Sequence, residues 1–285
     1  MNPVKSLMKE KQRLEDLSDN LNEEMRKYEA LRNTPYPYQL WQRIPRCNLK
    51  LQELKPNYYF DAINVIEEYY LNEEPLFQNM GLVEDCDSSK SFRWRVLNNL
   101  KNSTSVIALN EGNLLEIAGV LVLVEVTRNY FSRNMSREDL VQGHCHKMYV
   151  KLTSTLIYDV DLYSMFDCFI FLRIYALCIK PNYRHMGLGL KFFETAIYVA
   201  QSLRIPVIMG VFTDSCLQVL ARKIGMTEIK KIKYSDWKDF DNNEIFPNLR
   251  QDRTSCSLMA GRVPLPPPPP VTETIIVEEP RKKKK

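Results

Sequence analysis

The sequence predicts an α/β (α+β) fold in which short strands and amphipathic helices share a core. Residues 103–109 and 116–127 are apolar, β-branched runs, and the turn-like residues 110–113 between them indicate a hairpin. Residues 169–179 have the pattern of a strand that leads through a glycine turn into a helix-like run over residues 190–203. With 45% hydrophobic and 26% charged residues, the 285-residue chain can bury one substantial core.

The N-terminal segment is predicted to be an amphipathic helix over residues 1–33. Apolar residues recur there at seven-residue spacing: Leu7, Leu14, Leu21 and Tyr28. Glu10 and Glu24 fall where a coiled-coil seam would be apolar, so we expect a helix that docks on the domain, or a weak partner helix. Two prolines within residues 34–37 end it, because proline lacks an N–H donor and disfavours helix in the residue before it.

The chain then continues with a short first strand over residues 49–54 and a helix over residues 58–71. After the hairpin, a polar excursion over residues 128–143 precedes a helix near residues 152–158. Beyond the long helix, the predicted elements are a strand over residues 205–212, a helix over 214–224 closed by Gly225, and closing strands over 228–233 and 254–262.

Charge and cysteine content favour a cytoplasmic protein. The net charge is +4 and the last five residues supply five positive charges, so the rest is near neutral, which argues against non-specific binding of nucleic acid. Seven cysteines without a CxxC pair are typical of a reducing compartment. We find no secretory signal and no apolar run near the length of about 20 residues that a membrane span needs.

The C-terminal tail differs in composition from the rest. Residues 264–270 are almost continuous proline, which predicts an extended spacer, and we place a domain boundary near Val263. The basic run over residues 281–285 is typical of a nuclear import signal or of contact with an acidic surface, and a solvated tail is the plainer alternative.

The glycine turn between the central strand and the long helix predicts an anion site. Arg184, Gly187 and Gly189 have the spacing R-x-x-G-x-G, and two residues without side chains let the backbone approach a ligand. The free N–H groups and positive dipole end of the following helix suit a pyrophosphate. The turn resembles the acetyl-CoA turn, Arg/Gln-x-x-Gly-x-Gly/Ala, of the GNAT superfamily of N-acetyltransferases.

Further motifs narrow the resemblance to the insect-type arylalkylamine N-acetyltransferases. Residues 73–76, Glu-Glu-Pro-Leu, are similar to that family's Asp-Glu-Pro-Leu motif, and residues 234–239, 245–247 and 254–256 are similar to its late strand, loop and last strand. The likeness covers roughly residues 49–263. It implies a mixed, mostly antiparallel sheet flanked by helices and splayed at the strand that ends at residues 177–179. We divide the chain into an N-terminal charged helical extension (1–45), a GNAT acetyltransferase domain (46–263), and a proline-rich spacer with a basic disordered tail (264–285).

The resemblance also implies an activity, the transfer of an acetyl group from acetyl-CoA to a small primary amine, with an arylalkylamine as the first candidate. Glu74 is then the expected general base, and its neighbour Glu73 is a like charge that could raise its pKa. Thr213 and Ser215 are the candidates for handling the proton of the departing thiolate. The residues expected to hold the cofactor are Leu177, Cys178, Ile179, Arg184, His185, Met186, Gly187, Leu188, Gly189 and Leu190. Lys191, Arg222 and Lys223 are candidates for a ribose phosphate.

Some features favour an alternative, a GNAT-fold binding or scaffold protein with weak or no catalysis that works through its terminal extensions. Active insect-type members commonly have two serines where this chain has Thr213 and Leu217, and leucine cannot donate a hydrogen bond. Ser215 could equally cap a helix, and Cys216 could be a small buried residue. Acetylation of a protein substrate is a third alternative.

Two other groups of residues have both structural and functional interpretations. His144 and His146 at strand spacing would lie on one face of a loop segment, with a surface role favoured over a proton relay. Zinc is not expected, because no third ligand cluster is visible. A set of aromatic residues could line an amine pocket, although core packing is the commoner role at such spacing: Tyr58, Tyr59, Phe60, Tyr69, Tyr70 and Phe77.

Overall fold

A computed structural model describes residues 3–102, 104–128, 140–238, 241–247, 249 and 253–265. Within these residues eight strands form one sheet: β1 (Leu40–Ile44), β2 (Leu49–Glu53), β3 (Val106–Asn110), β4 (Asn113–Thr127), β5 (Ile170–Ile179), β6 (Val207–Phe212), β7 (Thr227–Lys233) and β8 (Ser255–Arg262). Their order across the sheet is β1-β2-β3-β4-β5-β6-β8-β7. The neighbours β5 and β6 run parallel, and the other neighbouring pairs are antiparallel.

The helices of the described residues cover both faces of this sheet. They are α1 (Pro3–Ala30), α2 (Tyr59–Val65), α3 (Pro75–Met80), α4 (Cys86–Asn102), α5 (His144–Tyr158), α6 (Leu162–Phe166), α7 (Leu188–Ser202) and α8 (Ser215–Lys223). Helix α2 continues through a π-helical turn, Ile66–Tyr70, into a last helical turn, Leu71–Glu73. The predicted mixed, mostly antiparallel sheet flanked by helices is therefore confirmed.

Each face of the sheet has its own apolar core. Helices α1 to α5 cover the first core, and α7 with α8 covers the second. Strand β4 shows why its sequence is a continuous apolar run. Val122 and Val124 point into the first core while Leu121 and Leu123 point into the second, so a strand that is buried on both faces needs apolar residues at every position.

The sheet opens between β5 and β6. Strand β5 pairs with β4 along its whole length, but its pairing with β6 covers three residues, from Leu172 opposite Ile208 to Ile174 opposite Gly210. Tyr175 is an extra residue, a β-bulge, because Ala176 and Ile174 lie opposite consecutive residues of β4. Beyond Ile174 the edge of β5 that faces β6 is open, as the predicted splay requires.

The N-terminal amphipathic helix is confirmed, and it packs on the first core. Leu21, Met25 and Tyr28 are buried, and the ring of Tyr28 lies 5.0 Å from the ring of Tyr59 on α2. Glu24 forms an ion pair with Lys101 of α4 at 2.7 Å. Helix α1 thus docks on α2 and α4. The division at residues 45 and 263 stays a prediction.

Several predicted elements need correction. Residues 49–54 are not the first strand, because β1 precedes them at the half-buried edge of the sheet. Strand β1 was not predicted because the prolines on either side of it obscure its pattern. Helix α4 was not predicted, and the helix expected near residues 152–158 begins at His144. Most of the polar excursion, residues 129–139, and residues 266–285 of the tail lie outside the described residues. No described helix has the length and apolarity to cross a membrane.

Candidate active site

The site centres on Glu74, which lies at the start of α3. Glu74 is extended (φ −61°, ψ 126°) and Pro75 follows in the first helical position, where proline's missing N–H costs nothing. The side chain caps the helix, because its Oε2 accepts a hydrogen bond from the backbone N–H of Phe77 at 2.7 Å. The Glu-Pro sequence thereby turns the carboxylate inward, and the residue is 5% exposed.

A second donor reaches the same carboxylate from the end of β6. Thr213, which follows β6, donates its hydroxyl hydrogen to Oε1 of Glu74 at 2.6 Å. The Tyr234 hydroxyl donates to the backbone carbonyl of Thr213 at 2.8 Å and so fixes this residue. All three residues are buried. The end of β6 and the start of α3 therefore meet at Glu74, beside the point where β5 and β6 part.

The environment of Glu74 suits a proton acceptor at neutral pH. Burial raises the pKa of this carboxyl from 4.5 to about 7, while the hydrogen bonds from Thr213 and from the backbone of Phe77 and Leu76 oppose the rise. The like charge that adds to the rise is Asp214. Glu73 was expected in that role, but its 42%-exposed carboxylate forms an ion pair with Arg184 at 2.5 Å.

A cluster of aromatic side chains lies near the carboxylate in the first core, because the Glu74 charge acts on the hydroxyls of Tyr70 and Tyr149. The ring of Phe77 lies 4.6 Å from that of Tyr149 and 5.0 Å from that of Phe92. Tyr70 stacks on Phe92 at 5.7 Å, and Tyr175 does so at 6.4 Å. Tyr70 and Tyr175 are half-buried. Of the aromatic residues considered from the sequence, Tyr70 and Phe77 belong to this cluster, whereas Tyr59 packs on α1.

The glycine turn lies at the N-terminus of α7. His185 and Gly187 have left-handed φ values of 60° and 79°, and a side chain at Gly187 would meet no atom within 4 Å. Glycine is therefore needed there for its backbone conformation, and the space in front of the turn is open. At Gly189 a Cβ atom would lie 3.0 Å from the Leu220 side chain, so this glycine permits close packing of α7 on α8. The first-turn N–H groups of Leu188, Gly189 and Leu190 lie at this helix end.

Arg184 has protein partners in the turn. Its Nε–H donates to the carbonyl of Ile179 at 2.8 Å, and the guanidinium also holds Glu73. It therefore links the end of β5 to the segment that carries Glu74. The other basic candidates also have neighbours, Glu194 for Lys191 at 2.7 Å and Glu228 for Arg222 at 3.4 Å, while Lys223 is exposed.

The three predicted strand residues lie on the open part of β5. Leu177 and Ile179 are half-buried against the second core, while Cys178 is buried and its thiol donates to the carbonyl of Val65 at 3.5 Å. Burial raises the pKa of the Cys178 thiol to about 12, so it stays neutral. The backbone of this segment is what remains accessible to a ligand between β5 and β6. Its role in cofactor binding stays a prediction.

The start of α8 corrects two expectations. Asp214, and not Ser215, caps this helix by accepting from the backbone N–H of Cys216 at 2.7 Å. Cys216 is exposed, and Leu217 packs at the border of the second core. In the described part of the chain, the Ser215 side chain forms no hydrogen bond with Glu74 or Thr213. Thr213, at the first of the two serine positions, is the residue that contacts the carboxylate in this chain.

The histidine pair also differs from the expectation. His144 and His146 lie in the first turn of α5, so they point in different directions: His144 is exposed and His146 is fully buried. The Nδ1 atom of His146 is 2.9 Å from the Ser91 hydroxyl, and burial lowers the pKa of its ring to about 3. His146 is therefore a neutral core residue. Among the described residues no group of three or more His, Cys, Asp and Glu side chains could hold a metal ion.

Solved structures with the same architecture identify the fold. Arylalkylamine N-acetyltransferase 2 from Aedes aegypti aligns with a TM-score of 0.71 at 21% identity, over 76% of this chain and 100% of that one. This chain has the GNAT fold. The GNAT neighbours include a mosquito arylalkylamine N-acetyltransferase-like protein 5b (TM-score 0.65, 16% identity, 75% of this chain and 99% of that one). Another is the polyamine N-acetyltransferase of Drosophila melanogaster (TM-score 0.64, 19% identity, with the same coverage). No family model and no curated protein matches the sequence.

Residues of the site that the sequence did not reveal come from distant elements. Tyr149 lies on α5, which was predicted to begin later, and Tyr234 was noted as part of a late motif without a role. Arg173 is a charged residue in the apolar run of β5, and the signal for it was that single charge.

Proposed function

We propose that this protein is an acetyl-CoA-dependent N-acetyltransferase that acts on a small primary amine, with Glu74 as the general base. The observation that carries the proposal is the buried Glu74 carboxylate, whose pKa is about 7 and which lies beside the opening between β5 and β6. A base with a pKa near the working pH is the most efficient proton acceptor, because it is ionised and still basic.

The features around the opening are compatible with acetyl-CoA. The open edge of β5 offers backbone groups of Leu177, Cys178 and Ile179 to a pantetheine arm, as an added strand would use them. The turn over residues 184–190 offers N–H groups to a pyrophosphate, and its left-handed residues leave the space before it open. A backbone N–H at the same edge could polarise the thioester carbonyl, which develops negative charge during transfer.

The reaction requires a neutral amine. An alkylamine has a pKa of about 10, so only a small fraction of it is neutral at pH 7, and the apolar rings near Glu74 favour that neutral form. The neutral nitrogen attacks the acetyl carbon, and the proton that it loses passes to the Glu74 carboxylate. The C–N bond forms, the C–S bond breaks, and the departing thiolate takes up one proton, so that Glu74 returns to its ionised form once its own proton is released. Thr213 orients the carboxylate through its 2.6 Å hydrogen bond, and Thr213 and Ser215 remain the candidates for passing the proton to the thiolate.

The acceptor is an amine with an aromatic or apolar body. Tyr70, Phe77, Phe92, Tyr149 and Tyr175 place aromatic rings around the base, and such rings bind an arylalkyl group by stacking and by burial of apolar surface. The neighbours named for arylalkylamine acetylation support this class. We further propose that the reaction occurs in the cytoplasm, with the basic run over residues 281–285 as a route to the nucleus.

The first experiment is a calorimetric titration of the purified protein with acetyl-CoA, followed in the same sample by thiol release with dopamine, serotonin, tyramine and a polyamine. Binding together with thiol release supports the transferase and begins to define its acceptor. Binding without release from any amine would contradict the proposed catalysis and leave a GNAT-fold binding protein. A protein that does not bind acetyl-CoA would refute the assignment of the glycine turn.

A further inference from the structure

Arg173 is a charged residue at the centre of the molecule. It lies in the middle of β5, opposite Val124 of β4 and Met209 of β6, so strands flank it on both sides. Its side chain alternates with Leu172 and Ile174, which belong to the second core, and therefore points into the first core with Phe171. It is half-buried, and its Nε atom is buried without a hydrogen-bond partner.

The guanidinium lies in the aromatic surroundings of Glu74. Its Cζ atom is 5.3 Å from the centre of the Tyr175 ring, in a cation–π contact. Burial raises the pKa of the Tyr149 hydroxyl and of the Cys256 thiol; the Glu74 charge adds to both rises and Arg173 opposes both. The negative Glu74 and the positive Arg173 therefore both lie close enough to act on Tyr149 and Cys256.

The positive charge of Arg173 is not balanced within the described part of the chain. Among the described residues no carboxylate forms an ion pair with Arg173, and its Nε atom has no hydrogen-bond partner. The Glu74 carboxylate is held instead by Thr213 and by the backbone N–H of Phe77. An interior guanidinium is costly unless an anion neutralises it. The side chain is half-buried and keeps some accessible surface, so an anion that enters with a ligand can reach it.

We propose that Arg173 binds a carboxylate of the acceptor, so that the acceptor is an amine that also carries a carboxylate, such as an aromatic amino acid. This rests on the proposed function, and it narrows the acceptor class. A guanidinium matches a carboxylate with two parallel N–H donors, and stacking on Tyr175 would keep its plane fixed. The amine of such an acceptor faces Glu74 while its ring packs among Tyr70, Tyr149 and Phe92. A second cationic group, as in a polyamine, is repelled by Arg173.

The test compares acceptors that differ by the carboxylate alone: L-tyrosine with tyramine, and L-DOPA with dopamine, each at equal concentration of the free amine. We expect kcat/KM of the wild-type protein to be higher for the amino acid of each pair. Arg173→Gln should lower the ratio of kcat/KM for the amino acid to kcat/KM for the plain amine by about 10- to 100-fold, the usual effect of one charged hydrogen-bonding group. Arg173→Lys keeps the positive charge but loses the two parallel N–H donors. Its preference for the amino acid over the amine should lie between those of the wild type and Arg173→Gln.

Arg262→Gln is the matched control. Arg262 also lies over an aromatic ring, that of Phe166 at 5.8 Å, but at the far end of β8 where it is exposed. This variant should keep the amino acid to amine ratio of the wild type. Thermal unfolding followed by circular dichroism shows whether each variant is folded. If Arg173→Gln is unfolded, Arg173→Lys serves as the test.

Three outcomes overturn the inference: a wild-type preference for tyramine over tyrosine, an equal loss with both acceptors in Arg173→Gln, or no loss at all. If the wild-type protein acetylates none of these amines, the proposed activity fails and the inference is tested by binding. Calorimetric titration of the acetyl-CoA-loaded protein with tyrosine and tyramine then takes the place of turnover. Tighter binding of tyrosine that is lost in Arg173→Gln supports the carboxylate site, and equal binding of the two compounds refutes it.

Discussion

Glu74→Gln replaces the buried carboxylate with a neutral amide of nearly the same shape. Gln can still accept one of the hydrogen bonds that Thr213 and Phe77 donate, so α3 keeps its start while the base is lost. A positioned general base contributes about 10²- to 10⁴-fold to rate, and we expect kcat/KM to fall within that range. Affinity for acetyl-CoA should not change, because the glycine turn and the edge of β5 are untouched.

The pH profile gives a sharper measurement of the same variant. With a pKa of about 7, Glu74 is about one-tenth ionised at pH 6 and about nine-tenths ionised at pH 8. The neutral amine also increases about tenfold per pH unit, since its own pKa is about 10. A logarithmic plot of kcat/KM should therefore rise with slope two below pH 7 and slope one above it. Glu74→Gln should show slope one throughout.

Glu73→Gln is the matched control for this experiment. It removes the adjacent carboxylate, which is exposed and pairs with Arg184, and the change of slope near pH 7 should remain. Initial rates of thiol release from pH 5.5 to 9 at several acceptor concentrations supply the data. A Glu74→Gln protein that keeps more than half of the wild-type kcat/KM, or that keeps the change of slope, would refute the assignment of the base.

The remaining predictions concern stability and the partners of Glu74. Because folding raises the Glu74 pKa from 4.5 to about 7, the folded state keeps a proton that the unfolded state has released, and the contribution of Glu74 to the free energy of unfolding should fall by about 3 kcal/mol between pH 4 and pH 8. Buried His146 contributes in the opposite direction in both proteins, so urea denaturation should show the fall in the difference between the wild type and Glu74→Gln; a difference that is the same at both pH values would contradict the pKa. Thr213→Val removes a hydrogen bond that lowers the Glu74 pKa, so the change of slope in the pH profile should move up by roughly one unit, and an unmoved profile would argue against this contact. Leu21→Ala opens a cavity where α1 meets the first core and should cost about 2 to 5 kcal/mol in urea denaturation. A loss below roughly 0.5 kcal/mol, the size expected of a surface change, would mean that α1 does not pack as described.

Local pattern was enough to predict most elements of the fold. The hairpin, the central strand, the glycine turn and the helix after it follow from periodicity and turn residues that act over short distances. Helix α4 was missed even though Phe92, Val96 and Leu100 recur at helical spacing, because polar residues dominate between them. Strand β1 is a half-buried edge strand, so its alternation is weak.

The chemistry of the site was harder to predict, because it depends on contacts between distant residues. Glu73 and Glu74 are identical in sequence terms, yet one is exposed and paired with Arg184 while the other is buried against Thr213, 139 positions away. The sequence could propose that Glu73 raises the pKa of its neighbour, but burial has that effect. The surroundings of Arg173 likewise depend on the register of β5 and on the position of α5. Neither can be predicted from the local sequence pattern.

The bulge at Tyr175 divides β5 into two halves with different uses. Before it, side chains such as Phe171 and Arg173 face the aromatic interior; after it, residues 177–179 present main-chain groups to the opening. Side chains vary freely between sequences whereas main-chain groups do not, so on the proposed function acceptor choice can change by substitution before the bulge while the cosubstrate edge stays constant. Deletion of Tyr175 would leave both faces as they are, because Ile174 and Ala176 already lie opposite consecutive residues of β4, and would remove only the ring that contacts Arg173. Substitution at position 173 is therefore the place to begin redesigning acceptor selectivity.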